Sequence, residues 1–301
     1  MEPNLKYFSN KRILITGGGG YLGSKLAEVL ATSGAMIYLL DIRFNNIAEQ
    51  IAFQQDSVVK LHCNLSDRDS VQVAVNKSQP NIIFHFGALL QRDRDFSLYK
   101  KLYQVNVEGT LNLLESLQSV DYSGFFFSST GEVYGTMNKS PFKESMVPFP
   151  ASPYSLTKFM AENLITTYSS VNKKPYTIFR IFNFYGPKMP ESFFVSQLED
   201  SLKRNVLFEM TKGEQKRDYL SVDELIRLIT TAAQSPKCKN KLLNLCSGKG
   251  LYISDMAKKI AAKHNKLNLL RIGSLPYRDN EIWEMVGDNN LAIELGLFDK
   301  F

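Results

Sequence analysis

Long apolar runs, a cysteine framework and metal-ligand clusters are all missing from this chain of 301 residues. Its longest apolar stretches, Ile82 to Phe86 and Phe125 to Phe127, fall far short of the ~20 residues that cross a bilayer, so no membrane span is expected. The opening Met1-Glu2-Pro3-Asn4 precedes no apolar segment of signal-peptide length, and the expected compartment is the cytoplasm. Cys63, Cys238 and Cys246 make neither a disulfide set nor a metal spacing, and His62, His85 and His264 add no zinc pattern. The thiols are expected to be reduced packing residues, and no metal is expected. No internal repeat or low-complexity tract is present, which removes solenoid and linker readings. A strong excess of one charge is also lacking: 36 Lys and Arg oppose 30 Asp and Glu, for a net +6. Eight lysines between Lys237 and Lys266 face only Asp255, but they are spread over helical and loop positions, so no nucleic-acid partner is expected.

What is present suits an ordinary globular chain. At 44% hydrophobic and 22% charged residues, it can bury one large core or two small ones, and disorder, collagen and coiled coil are excluded. Short β-branched runs alternate with longer helical periods, the pattern of a parallel sheet covered by helices. Strands are predicted at Arg12 to Thr16, Met36 to Asp41, Val58 to Leu61, Asn81 to Phe86, Gly124 to Ser128, Tyr176 to Ile181 and Lys241 to Cys246. Helices are predicted at Tyr21 to Ser33, Asp67 to Lys77, Leu98 to Ser119, Pro153 to Val171 and Ser221 to Ala233. After Asn183, Pro187, Pro190, Gly213, Pro236, Gly248, Gly250 and Pro276 break the chain into shorter pieces. The expected fold is therefore α/β, a Rossmann-type doubly wound parallel sheet with a smaller C-terminal substrate-binding lobe. The dinucleotide domain is expected over residues 1–182 with about 219–246, and the lobe over 183–218 and 247–301.

The strand Arg12 to Thr16 runs into Gly17-Gly18-Gly19-Gly20-Tyr21-Leu22-Gly23, which opens a helix. Glycines let the backbone turn tightly and approach a pyrophosphate, and a helix start offers unpaired N–H groups to the anion. Asp41 ends the second strand 18 residues after Gly23, where a dinucleotide fold places the carboxylate that takes an adenosine ribose. A carboxylate there repels a 2′-phosphate and favours NAD over NADP; Arg43, two residues on, softens that preference. Further along, Tyr154 and Lys158 lie four apart on a helix introduced by Pro153, so phenol and ammonium share one face. A nearby ammonium favours the phenolate and makes the tyrosine an acid/base for a substrate hydroxyl or carbonyl. Ser128-Ser129-Thr130 ends a strand at the carboxyl edge of the sheet, which places the Thr130 hydroxyl beside the same substrate oxygen, or makes it a strand-end cap.

Taken in order, these motifs resemble those of the extended short-chain dehydrogenase/reductases that modify nucleotide sugars. The likeness rests on Thr16 to Gly23, His85-Phe86-Gly87-Ala88, Asn106 to Leu114 and Ser128 to Gly135. It continues through Ser152 to Lys158, Arg180 to Pro187 and Gln215 to Glu224. It implies that Gly17, Gly20, Tyr21, Leu22 and Gly23 hold the NAD pyrophosphate, with Asp41 on the ribose and Asn64 and Leu65 at adenine. The family has Asp at the first of these last two positions, so Asn64 is a departure. Phe86, Gly87, Ala88, Asn106, Ser128 and Phe182 would line the cofactor, and Lys158 would also bind the nicotinamide ribose. Tyr154 would be the acid/base, partnered by Thr130. Asn183, Arg217 and Arg278 resemble diphosphate ligands of a sugar nucleotide, and Glu281 resembles the acid that takes its ribose. Arginine suits a diphosphate because its fork donates paired, charge-assisted hydrogen bonds.

Glu132, two residues after Thr130, resembles the acid of the dehydratases and decarboxylases of that family, but Gly131 stands where a dehydratase has its second acid or a serine. The activity expected from the resemblance is therefore 4-epimerase or 4-ketoreductase. Dehydratase or decarboxylase chemistry through Glu132 is the alternative, and a non-catalytic NAD-binding sensor is a further one. A homodimer joined through Leu98 to Ser119 and Pro153 to Val171 is expected on the same ground.

Overall fold

A computed structural model describes residues 3–91, 95–277 and 281–298. Seven strands form the larger sheet: β1 (Arg12–Thr16), β2 (Met36–Asp41), β3 (Val58–His62), β4 (Ile82–His85), β5 (Gly124–Thr130), β6 (Thr177–Ile181) and β10 (Lys241–Leu245). Their order is β10-β6-β5-β4-β1-β2-β3, and every neighbouring pair is parallel. The chain winds outward from β1 to β3, then returns past β1 and winds the other way from β4. The carboxyl ends of β1 and β4 therefore carry loops that part in opposite directions and open a crevice. Helices cover both faces, which is why β4 and β6 are buried along their whole length rather than alternating.

One face is closed by α1 (Tyr21–Leu30), α2 (Asn46–Gln54) and α8 (Val222–Gln234), whose Leu26, Ile51 and Ile229 pack with Ile13, Leu39 and Leu243. The other is closed by α3 (Arg68–Ser78), α4 (Tyr99–Tyr103), α5 (Gly109–Ser116) and α6 (Pro153–Asn172), with Val71, Leu113 and Ile165 against Leu14 and Phe127. The expected helix from Leu98 to Ser119 is in fact three pieces, because a π-helical turn at Gln104–Glu108 separates α4 from α5. Such turns widen a helix and re-aim a side chain, here Asn106. Helix α2 escaped the sequence pattern; Asn45 caps it by accepting from Ala48 N–H.

The lobe is built on β9 (Lys216–Ser221). It is flanked by β7 (Asn183–Tyr185), β11 (Gly250–Tyr252) and β13 (Glu284–Met285). Beside it, α7 (Phe194–Lys203) and α9 (Ile253–Lys263) bury Leu198, Leu202 and Ile260 against the pair β8 (Phe208–Met210) and β12 (Leu270–Ile272). The last helix, α10 (Asn290–Glu294), leaves the lobe: Ala292 and Leu297 pack into the core of the larger sheet. Among the described residues, no helix is long and apolar enough to cross a membrane, and no His, Cys, Asp and Glu cluster could hold a metal.

Candidate active site

The glycine turn sits at the mouth of the crevice. Gly17 has φ +70°, and a Cβ there would meet Gly87 N at 2.6 Å; a Cβ on Gly23 would meet Gly17 O at 2.3 Å. These contacts pack turn, helix start and the β4 loop together so closely that only glycine fits. No side chain caps α1, which leaves its first-turn N–H groups and its positive end to an anion. The Tyr21 phenol is engaged elsewhere: it donates to Pro187 O at 2.9 Å and stacks on Phe184, and burial pushes it up to about 12. Asp41, at the end of β2, accepts from Gly19 N–H at 3.1 Å and Ile42 N–H at 2.7 Å, and burial raises its carboxyl above the usual range. Arg43 is exposed beside it, donating its N–H to Asp41 at 3.3 Å.

The remaining cofactor candidates divide. Leu65 lies directly under Gly87, where a Cβ would meet its Cδ1 at 2.7 Å, and Phe86, Ala88 and Ser128 are partly open at the strand ends. Asn64 is exposed and its side-chain oxygen is taken by Ser66 N–H at 3.1 Å. Asn106 and Phe182 are both buried. The Asn106 amide is fully used, accepting from Leu89 N–H at 2.7 Å and donating to Leu89 O at 3.1 Å and Thr157 Oγ1 at 3.1 Å. Phe182 is buried with Tyr134 and Phe142, its ring filling the space behind Gly131.

The catalytic candidates come from two adjoining elements. Helix α6 begins where Ser152 and Ser155 cap each other across Pro153, a start that fixes Tyr154 and Lys158 in its first two turns. Tyr154 is half-buried. Lys158 is 2% exposed, with Nζ 4.1 Å from the centre of the Phe127 ring, and burial pulls its ammonium down to about 7 while Glu162, one turn on, pulls it up. On β5, alternation sends Ser128 and Thr130 one way and Ser129 the other. Thr130 Oγ1 accepts from Glu132 N–H at 3.2 Å at the start of a short 3-10 turn, so it is the strand-end cap and keeps its own proton to give. Ser129 instead donates to Glu162, which holds Arg180 at 2.7 Å in a buried ion pair. Sequence reasoning missed this pair, since nothing in spacing joins residue 162 to residue 180.

The lobe collects the substrate candidates around β9. Asn183 Nδ2 donates to Asp218 O at 3.3 Å, one residue from Arg217. Arg217 and Glu281, assigned by resemblance to different ends of a nucleotide, are paired with each other at 2.6 Å, and Arg217 also donates to Ile282 O at 2.7 Å. Arg278 lies outside the described residues. Asp218, also missed, is fully buried and pins the lobe, accepting from Ser247 N–H and Oγ, each at 2.7 Å, and from Gly248 N–H at 2.9 Å.

An anion cradle at a helix start, a ribose-type carboxylate, and a tyrosine and lysine on one helix face at the same sheet edge fit a dinucleotide enzyme. The model of the NAD dependent epimerase/dehydratase family matches residues 13–246. The chain belongs to this family. Its members are enzymes acting on nucleotide sugars, and the relatives span several activities. A GDP-6-deoxy-D-talose 4-dehydrogenase from Aggregatibacter actinomycetemcomitans is 26% identical, covering 92% of this chain and 88% of its own. A putative UDP-glucose 4-epimerase from Methanocaldococcus jannaschii is 27% identical, covering 81% and 79%. In structure, a Thermus thermophilus UDP-glucose 4-epimerase in complex with NAD matches with a TM-score of 0.84 over 96% of this chain and 94% of that one, at 22% identity. This chain has threonine, tyrosine and lysine at positions 130, 154 and 158 and glycine at 131.

Proposed function

We propose that this enzyme uses NAD to act at C4 of a nucleotide sugar, as a 4-epimerase or a 4-ketoreductase. The observation that carries the choice is Gly131. A Cβ on it would lie 3.0 Å from the Phe182 ring, which is itself buried against Tyr134 and Phe142, so a second acid beside Glu132 would have to push that packed ring aside by a few tenths of an ångström. Tyr154 exchanges a proton with the sugar oxygen through its phenol oxygen, and the buried Lys158 favours the phenolate and holds the nicotinamide ribose. Thr130, which accepts from Glu132 N–H, keeps its own proton and donates a hydrogen bond to the same sugar oxygen. NAD, when bound, would supply the hydride acceptor for oxidation at C4, and NADH the hydride donor for reduction of a 4-keto sugar. The first-turn N–H groups of α1 take the pyrophosphate, and Asp41 takes the adenosine ribose and disfavours NADP.

Asn183 and Arg217, with Arg278, bind the sugar nucleotide's diphosphate, and Glu281 turns from Arg217 to the nucleotide ribose. A homodimer through α4, α5 and α6 and a cytoplasmic location complete the proposal. The test is incubation with UDP-, GDP-, dTDP- and CDP-sugars, with and without NAD, followed by mass spectrometry and proton NMR. An unchanged mass with inverted C4 coupling supports epimerase, and reduction only of added 4-keto sugars, with NADH or NADPH supplied as the hydride donor, supports ketoreductase. Loss of water or carbon dioxide moves the chemistry to Glu132, and bound NAD without turnover of any sugar contradicts an enzyme of this substrate class.

A further inference from the structure

We infer that His85 is a positioning residue that couples the glycine turn beneath the cofactor to the helix carrying Tyr154; this rests on the reading of Tyr154 as acid/base. His85 ends β4, is fully buried, and lies 5.9 Å and 5.4 Å from the Phe125 and Phe127 rings. Its Nδ1 is 2.6 Å from Thr16 Oγ1 and its Nε2 is 2.9 Å from Thr110 Oγ1.

Counting protons fixes the direction of every bond. The single hydroxyl proton of Thr110 goes to Asn106 O at 2.6 Å, so Thr110 must accept at the ring, and Nε2 carries the ring proton. Nδ1 is then bare and accepts from Thr16, whose lone pair receives Gly87 N–H at 3.0 Å. One chain results: Gly87 to Thr16, Thr16 to His85, His85 to Thr110, Thr110 to the Asn106 carbonyl. From the same Asn106, the side-chain amide donates to Thr157 at 3.1 Å, and Thr157 donates to Tyr154 O at 2.9 Å. Gly87 is the residue that the absent Cβ of Gly17 would strike, so the chain begins against the phosphate turn and ends in the first turn of α6.

Only a side chain that accepts at one end and donates at the other can stand in this place. Burial holds the imidazole down to about 3, so the neutral ring that the chain requires persists across the working pH range. Both nitrogens are used and no ring atom reaches solvent, so His85 acts through its neighbours and does not exchange a proton with substrate.

The test compares His85→Phe, His85→Gln, Thr16→Val, Thr110→Val and the Thr16→Val/Thr110→Val double variant. The readouts are calorimetric titration with NAD, thermal unfolding, and turnover of whichever sugar the preceding experiment identifies. H85F is expected to weaken NAD binding about tenfold and lower kcat by about 10–100-fold, with KM for the sugar unchanged, as when a supporting hydrogen bond is lost. H85Q, which can still accept and donate, is expected to recover most of both. The two threonine variants are expected to couple: each weakens NAD binding alone, the double is no worse than the poorer single, and neither adds to H85F. Additive threonine effects, or H85Q matching H85F, would overturn the inference. If H85F does not fold, the threonine cycle decides alone. The NAD titration needs no sugar, so a failure of the proposed activity leaves this test intact.

Discussion

Replacing Lys158 with methionine should abolish turnover and yet make the fold more stable. The ammonium sits at 2% exposure over the Phe127 ring, and burial brings it from 10.5 to about 7. That gap is worth about 5 kcal/mol as a ceiling, at 1.36 kcal/mol per pH unit. Replacing a whole buried ion pair by apolar side chains of similar volume is neutral or gains about 1–4 kcal/mol, and K158M, which removes one buried ammonium, is expected within that range. The sign with pH follows from linkage. Between about 7 and 10.5 the unfolded chain holds a proton on this lysine that the folded chain does not, so this group's contribution to wild-type stability rises with pH in that window. Below about 7 both states are charged and the full cost of burial is present. K158M should therefore gain most at about pH 6 and lose that advantage steadily toward high pH. Urea unfolding at several pH values, followed through Trp283, the only tryptophan in the chain, measures this directly. A K158M protein less stable than wild type at about pH 6, or a difference flat with pH, would refute the reasoning.

Other consequences are as specific. Glu162→Gln leaves Arg180 buried without its counter-charge and should cost about 3–5 kcal/mol, whereas Glu162→Met with Arg180→Met should be neutral or stabilising; denaturant midpoints decide. Gly17→Ala places a Cβ 2.6 Å from Gly87 N at φ +70°, a conformation that costs about 1–2 kcal/mol on its own, and should lose NAD binding by calorimetry while the fold survives. Asp41→Asn removes the repulsion from a 2′-phosphate and should shift the ratio of NADP to NAD affinity at least about tenfold, roughly 1.4 kcal/mol. An unchanged ratio would remove Asp41 from cofactor choice.

The larger sheet was readable because its signals are local. Each of its seven strands lies within one or two residues of an apolar run bounded by turn residues, and β1, the glycine turn and Asp41 are contiguous enough to be read as one unit. Helix α6 declared itself through Ser152 and Pro153. The lobe was less legible, since its strands are two to six residues long and gain meaning only by pairing with β9. The polar interior was not legible. Glu162 and Arg180, Asp218 with Ser247 and Gly248, and Thr16 with His85 and Thr110 are far apart in sequence and meet only in the fold. Asn106 shows the limit from the other side: its motif marks it as near the cofactor, and only the fold shows that its amide braces Leu89 and Thr157.

The central claim, hydride transfer at sugar C4 governed by Tyr154, is tested most directly by mixing the NAD-loaded enzyme with a nucleotide sugar carrying hydrogen or deuterium at C4 and following NADH absorbance. Slower appearance of NADH with the C4 deuteride, and none with Tyr154→Phe that still binds NAD, is the expected result. NADH formation insensitive to the C4 label, or undiminished in Y154F, would contradict the account.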